Sequence, residues 1–307
     1  MYQKNIAKIF KLKVFGKSPI NAYLRVNQRI WNRLPALAIK LDPVISYGDF
    51  LNFLARLSAI RKQNSSTYFF RNRAELELIR HLSNQKPKGS ELKIMILACS
   101  NGAEVYSILW TIRSGRPDLR LMTNAVDISR EALKFAEKGV YSKRNNEPEN
   151  VSIFERLTKA EMQEIFDQEG DTVKVKTWFK EGINWHLGDA GDPQIIDILG
   201  PHDIVVGNRF LCHMDPPDAE RCLRNIASMV KPGGYLFVSG IDLDVRTRVA
   251  RDLGWEPMQD MIKEIHNGDP SLRDSWPCGY WGLEPFNIRR KDWKMRYASA
   301  FRLNEKY

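Results

Sequence analysis

From residue 91 onward, short apolar runs alternate with stretches whose apolar residues recur every three or four positions. Leu92–Leu97 reads Leu-Lys-Ile-Met-Ile-Leu, and Arg120–Val126, Ile183–His186, Asp203–Val206 and Tyr235–Ser239 are further runs of strand length. Helical spacing lies between them over about 103–113, 129–137 and 216–229, with Val105, Ile108, Leu109 and Ile112 marking the first helix. This alternation predicts an α/β fold, a parallel sheet with helices on both faces.

The remaining patterns place other elements around that sheet. Ile6, Ile9, Phe10 and Leu12 have helical spacing before a break at Gly16–Pro19. A second helix is expected from about Asn21 to Arg33, and a third from about Tyr47 to Ile60 with Phe50, Phe53, Leu54 and Leu57 on its apolar face. Residues 1–62 therefore read as a basic helical N-terminal region and residues 63–307 as the main domain. Within the latter, 141–182 interrupts the alternation. It holds a helical pattern from Leu157 to Phe166, then Thr172–Trp178, where Val173, Val175 and Thr177 alternate with Lys174 and Lys176 as in a half-exposed strand. Residues 241–307 form an aromatic-rich C-terminal extension with Trp276, Tyr280, Trp281, Trp293 and Tyr297. It is expected to cover the sheet edge, the alternative being a wall of the substrate pocket.

Composition narrows the class. Of the 307 residues, 43% are hydrophobic and 27% charged, as in a soluble globular protein. There is neither a membrane-length apolar run nor a signal-peptide pattern, so a cytoplasmic location is expected. The net charge is +10, and residues 1–41 hold nine Lys and Arg and no acid, so nearly all of the excess sits there. Such a segment suits an acidic protein surface or an anionic membrane, and no nucleic-acid partner is expected. Cys99, Cys212, Cys222 and Cys278 are scattered without metal-ligand spacing, so no metal is expected and the thiols read as small buried side chains.

The candidate chemistry lies where strands end. Leu97-Ala98-Cys99-Ser100-Asn101-Gly102-Ala103-Glu104 joins an apolar strand to a helix through small residues, which let backbone approach a ligand, and then a carboxylate suited to a cation. Asp127 closes the second strand, where an acid accepts hydrogen bonds from both hydroxyls of a ribose; a helix N-cap explains the same residue locally. Gly188-Asp189-Ala190 follows the third strand, where an acceptor suits an exocyclic amine. Asn208 and Arg209 stand at the carboxyl end of the fourth, the position from which enzymes of such folds reach a group to be transferred. Lys231-Pro232-Gly233-Gly234 reads as a turn entering the fifth. No G-x-G-x-x-G follows the first strand, which disfavours a nicotinamide.

Taken in order, these motifs resemble a class I S-adenosylmethionine-dependent methyltransferase with a Rossmann-like sheet. Ser66-Thr67-Tyr68-Phe69-Phe70-Arg71 resembles the Thr-x-Phe-Phe-Arg signature of the CheR-type chemotaxis receptor methyltransferases. Ala98–Ser107 and the stretch Ala125–Tyr141 are similar to two further motifs of that family. The resemblance implies that Ser65, Thr67 and Arg71 meet the methionyl end of the cofactor and that Glu104 lies near its ammonium group. It places Ala98 in the turn against the cofactor, Asp127 on the ribose, and Asp189 and Ala190 beside the adenine. Asp189 replaces the family's usual Asn. Asn208, counted among the cofactor contacts, and Arg209 stand where the family has Arg-Asn, and His213 where it usually has Tyr.

The changes fall on the acceptor side. A carboxylate acceptor needs a cation to hold it, for which Arg209 is the candidate; a hydroxyl acceptor needs a base, for which His213 is best placed. The sequence therefore favours O-methylation of a small-molecule or lipid-like acceptor. The alternative is a protein-glutamate O-methyltransferase acting on chemoreceptors or another acidic protein.

Overall fold

The helical spacing near the start of the chain produces α1 (Pro19–Trp31) and α2 (Asp42–Ser58). The computed structural model describes residues 19–35, 37–63, 67–143 and 153–304, so the helix expected over Ile6–Leu12 lies outside the described residues. On α2 the buried residues are Gly48, Leu51, Asn52, Leu54, Ala55 and Ser58, whereas Phe50 and Phe53 are 49% and 47% exposed. The expected face is thus corrected. The helix carries apolar residues on two sides, and Gly48 decides between them. A Cβ there would stand 2.1 Å from the Trp276 ring, so only glycine admits that indole. Trp276 meets Trp31 edge-on at 5.0 Å, in a small core with Leu24, Leu51, Leu54 and Ala55.

Trp276 shows that the C-terminal stretch does not behave as one extension. Asp269–Arg290 group with the residues up to Lys62 into one compact unit, and Lys291–Tyr307 group with Gln63–Gly268 into another.

The larger unit begins with α3 (Arg73–Asn84), β1 (Glu91–Leu97), α4 (Ala103–Gly115), β2 (Arg120–Asp127), α5 (Arg130–Lys138) and β3 (Val140–Ser142). It continues with α6 (Lys159–Ile165), β4 (Phe166–Glu169), β5 (Thr172–Val175), β6 (Ile183–Leu187), α7 (Gln194–Leu199), β7 (His202–Val206), α8 (Pro216–Ser228), β8 (Val230–Phe237) and α9 (Leu243–Asp252). The short strands β9 (Glu256–Pro257) and β10 (Ala300–Arg302) complete a seven-stranded sheet of order β6-β2-β1-β7-β8-β10-β9. The five strands from β6 to β8 are parallel, and β10 runs antiparallel between β8 and β9.

β1 is central, and its last four residues are fully buried, which explains its unbroken apolar run. The chain leaves β1 toward β2 on one side and returns at β7 on the other. That reversal opens a crevice at the carboxyl ends of β1 and β7, where open α/β sheets bind ligands.

Two elements differ from expectation. Lys231-Pro232-Gly233-Gly234 lies inside β8 as an irregularity between the pairings His202↔Val230 and Ile204↔Tyr235, and the strand ends at Phe237. A Cβ on Gly234 would stand 2.9 Å from the Asp203 carbonyl oxygen, so the bulge needs that glycine. The interruption at 141–182 is a three-stranded antiparallel sheet, β3-β5-β4. Tyr141, Phe166, Val173 and Val175 are its buried face, matching the alternation read over Thr172–Trp178.

Candidate functional site

The turn after β1 is held in an unusual backbone conformation. Ala98 and Ser100 have φ of +52° and +50°, and Gly102 has +84°. Side chains other than glycine avoid this region at a cost of about 1–3 kcal/mol each, so surrounding contacts must impose it. The Cys99 amide donates to the Val126 carbonyl at 3.1 Å, and the Ser100 amide donates to Asp127 Oδ2 at 2.8 Å. A Cβ on Gly102 would stand 2.9 Å from Ala136 Cβ, so glycine lets α5 press on the turn. Cys99 itself is buried, and burial pushes its thiol up, away from nucleophilic use.

Asp127 ties the first strand end to the second. Its Oδ1 accepts from the Ser129 amide at 2.8 Å while Oδ2 holds Ser100. The cap of α5 is Ser129, whose side chain accepts from the Ala132 amide, so the N-cap explanation passes to that residue. Each Asp127 oxygen keeps a further lone pair, and a carboxylate so placed can take the two hydroxyls of a ribose.

Across the crevice, Asn208 follows β7. Its Oδ1 accepts from the Ser239 amide and hydroxyl, both at 2.9 Å, which fixes the orientation of the amide group. Nδ2 must then face the other way, where it donates to Glu75 Oε1 at 2.6 Å and Glu104 Oε1 at 2.9 Å. One neutral amide thus serves two carboxyl groups. Glu75 is buried at 5% exposure, and its Oε2 has no hydrogen-bond partner. Burial and the neighbouring Glu104 push Glu75 up to about 8, against the hydrogen bond from Asn208 and the charges of Arg209 and Arg246. Glu104, at the start of α4, remains partly exposed. Burial raises it too, and Asn208, Arg71 and Arg209 hold it back.

Arg71 comes from the segment before α3. Phe70 has φ +53°, and its amide donates to Ser107 Oγ at 3.0 Å, which anchors the segment on α4. The Arg71 guanidinium lies over the Tyr68 ring at 4.4 Å, with Arg156 at 5.1 Å from the same ring. Phe69 stacks on Phe154 at 5.6 Å and meets Tyr141 and Phe166 edge-on, and Arg73 forms a two-pronged ion pair with Glu161. The segment is therefore strapped to the inserted sheet.

The structure brings Arg71, Glu104, Asn208 and Arg209 together, and places Ala98 and Asp127 at the neighbouring strand ends. Thr67 is half-buried ahead of Arg71, and Ser65 lies outside the described residues. Asp189 is exposed after β6, where its Oδ1 closes a turn with the Gly191 amide at 2.8 Å; buried Ala190 accepts at its carbonyl from Asn225. His213 is half-buried at the end of the turn Leu211–His213. Two charged participants escaped the sequence reading. Glu75 shares a helix face with Leu78, Ile79, Leu82 and Ser83, and Arg246 shares one with Val249 and Ala250. A charge on an apolar helix face was the available signal.

These residues fit S-adenosylmethionine. The orphaned Glu75 oxygen and the two carboxyls that share one amide are acceptors a cationic ligand can meet, and that nucleoside brings a sulfonium and an ammonium. Arg71 can take its carboxylate and Asp127 its ribose. A model of the CheR methyltransferase SAM-binding domain matches residues 65–243. The chain belongs to the CheR methyltransferase family.

Among CheR-family relatives, the chemotaxis protein methyltransferase of Vibrio parahaemolyticus is 29% identical over 178 residues, covering 56% of this chain and 60% of that protein. The chemotaxis protein methyltransferase of Klebsiella aerogenes is 24% identical over 247 residues, covering 73% and 78%. A probable biofilm formation methyltransferase, WspC, of Pseudomonas aeruginosa is 22% identical over 177 residues, covering 56% and 40%. Two of these three matches thus span three fifths or less of the relative's length. The family's cofactor is S-adenosylmethionine, and the exchanged pair Asn208-Arg209 puts a neutral amide between the two glutamates.

Proposed function

We propose that this protein is an S-adenosylmethionine-dependent O-methyltransferase whose acceptor is a carboxylate on a protein, as in a receptor glutamate. The carrying observation is the family match together with relatives named as chemotaxis methyltransferases. It favours the protein acceptor over the small molecule that the altered residues after β7 first suggested.

When bound, S-adenosylmethionine supplies a methyl carbon already activated by its sulfonium. Arg71 and Asp127 orient the two ends of the nucleoside, and Glu104 faces its cationic part. Arg209 holds the acceptor carboxylate in line, which is where most of the acceleration arises. An ionised carboxylate needs no proton removed, so His213 is left to position rather than to act as base. The inserted sheet β3-β5-β4 offers a surface for the acceptor segment. The excess positive charge of residues 1–41 further suits an acidic protein or an anionic membrane. Among the described residues no helix is long and apolar enough to cross a membrane.

The test is incubation of the full chain with methyl-labelled cofactor and cell extract. Base-labile label in a protein band supports the reading, and label confined to extractable small molecules overturns it. Sedimentation with vesicles containing phosphatidylserine, with and without residues 1–41, separates lipid from protein attraction; equal sedimentation removes the membrane.

A further inference from the structure

The amide of Asn208 gives each of its two carboxyl neighbours one hydrogen bond and no compensating charge. Its two N–H groups are spent on Glu75 Oε1 and Glu104 Oε1, and its oxygen is spent on Ser239. The Glu75 carboxyl is buried beyond it with Oε2 unbonded. The charged groups facing Glu75 are Glu104 from the first turn of α4, Arg209 from the segment after β7 and Arg246 from α9; Arg71 acts on Glu104. Arg246 is itself committed, donating to the carbonyls of Val238 at 2.8 Å and Arg296 at 2.9 Å.

We propose that Glu75 is a positioning residue that reads the charge of the nucleoside in the crevice, holding a proton when that nucleoside is neutral at sulfur and releasing it when the sulfur is cationic. The proposal rests on the cofactor reading above. Glu104, on the open side, meets the cationic part directly, whereas Glu75 answers through Asn208 and the shared field. Its resting proton lies near the neutral range, where burial has moved it to about 8, so a modest field change suffices. At an effective dielectric of about 20, a unit charge within about 10 Å shifts such an equilibrium by more than tenfold.

The step balances. Methyl transfer breaks the S–CH3 bond, the electron pair stays on sulfur as a neutral thioether, and a carboxylate oxygen of the acceptor forms the new C–O bond of a neutral ester. That step cancels the sulfonium against the acceptor carboxylate and leaves the net charge of the crevice unchanged. Once the neutral ester has left, the crevice holding the thioether carries one positive charge fewer than the crevice holding the sulfonium, and Glu75 takes up one proton from solvent. Glu75 therefore favours the sulfonium form over the spent thioether as pH rises, which helps exchange one for the other.

Calorimetry on the full chain tests this without turnover. S-adenosylmethionine and S-adenosylhomocysteine are titrated at pH 7 in two buffers of different ionisation enthalpy, which counts protons released. The wild type is expected to release more protons with the sulfonium ligand, and its preference for that ligand is expected to rise several-fold from pH 6.5 to 8.5. Glu75→Gln, which keeps an acceptor for Asn208 and mimics the protonated form, is expected to remove both differences. Equal proton counts for two ligands that both bind overturn the proposal alone, as does a difference that survives in E75Q. Binding of neither nucleoside overturns the cofactor reading and this inference with it. The wild-type comparison stands even if the variant does not fold.

Discussion

Gly240 lies so close to Arg209 that a Cβ on it would stand 2.7 Å from the Arg209 Cα and 2.9 Å from its Cδ. Both residues have left-handed backbones, with φ of +60° and +67°, and the Arg209 amide donates to the Ser239 carbonyl at 2.9 Å. The strained arginine is thus seated on a glycine that cannot be filled. Gly240→Ala is expected to destabilise the fold by about 1–3 kcal/mol and to lower turnover, with cofactor affinity less affected. Denaturant unfolding and single-turnover rates measure the two effects; an unchanged rate would show that the seat does not matter.

Arg209 carries the second expectation. Its charge holds down both Glu75 and Glu104, and it is the group assigned to the acceptor. Arg209→Ala should cut kcat by roughly 10- to 100-fold while changing cofactor Kd less. Cofactor binding lost in parallel with kcat would move Arg209 to the cofactor side.

Asp127 gives a sharper substitution. Asp127→Asn leaves one acceptor oxygen for two backbone amides, Ser100 and Ser129, so one of them loses its partner at about 1–3 kcal/mol. The turn carrying Ala98 and Ser100 should relax, and S-adenosylmethionine affinity should fall at least about tenfold. Calorimetry checks this, and unaltered affinity would take Asp127 off the ribose.

The pH dependence of stability follows from Glu75. Its carboxyl, ordinarily near 4.5, is raised to about 8 by burial and by Glu104. Its contribution is complete below about 4.5, where folded and unfolded chains both hold the proton. It declines as pH rises toward 8, by up to about 1.4 kcal/mol per pH unit, because the unfolded chain releases the proton first. Glu104, raised in the same direction, adds to the slope. The Tm of the wild type should fall between pH 5 and 8, and that of E75Q should fall less; parallel curves would contradict the assignment.

Gly48 tests the small unit. A Cβ there would stand 2.1 Å from Trp276 and 2.8 Å from Trp31, both parts of rigid rings. Gly48→Ala should therefore cost about 1–3 kcal/mol and expose the buried indoles. A red-shifted tryptophan emission at lower denaturant reports it.

Much of the sheet was legible because its strands are simple runs: Ile94–Leu97 is buried on both sides and needs no periodicity to be recognised. Asp127 was legible because its place at a strand end is fixed by local order. Glu75 was not, since its partner Asn208 lies 133 residues away and only the folded crevice joins them. Phe50 and Phe53 misled because α2 has two apolar sides and the choice belongs to Gly48 and Trp276, which are distant in sequence. The Pro-Gly-Gly motif signalled a bend correctly, but neighbouring strands turned that bend into a bulge within β8.

The straps between the Phe69–Arg73 segment and the inserted sheet have an evolutionary consequence. Phe69, Arg71 and Arg73 take their bearings from Phe154, Arg156 and Glu161, so whatever reshapes the module proposed to meet the acceptor also re-aims the guanidinium proposed to grip the donor. Lineages drifting to new targets would have to retune both together, and a transplanted module would arrive with its own handhold misaligned.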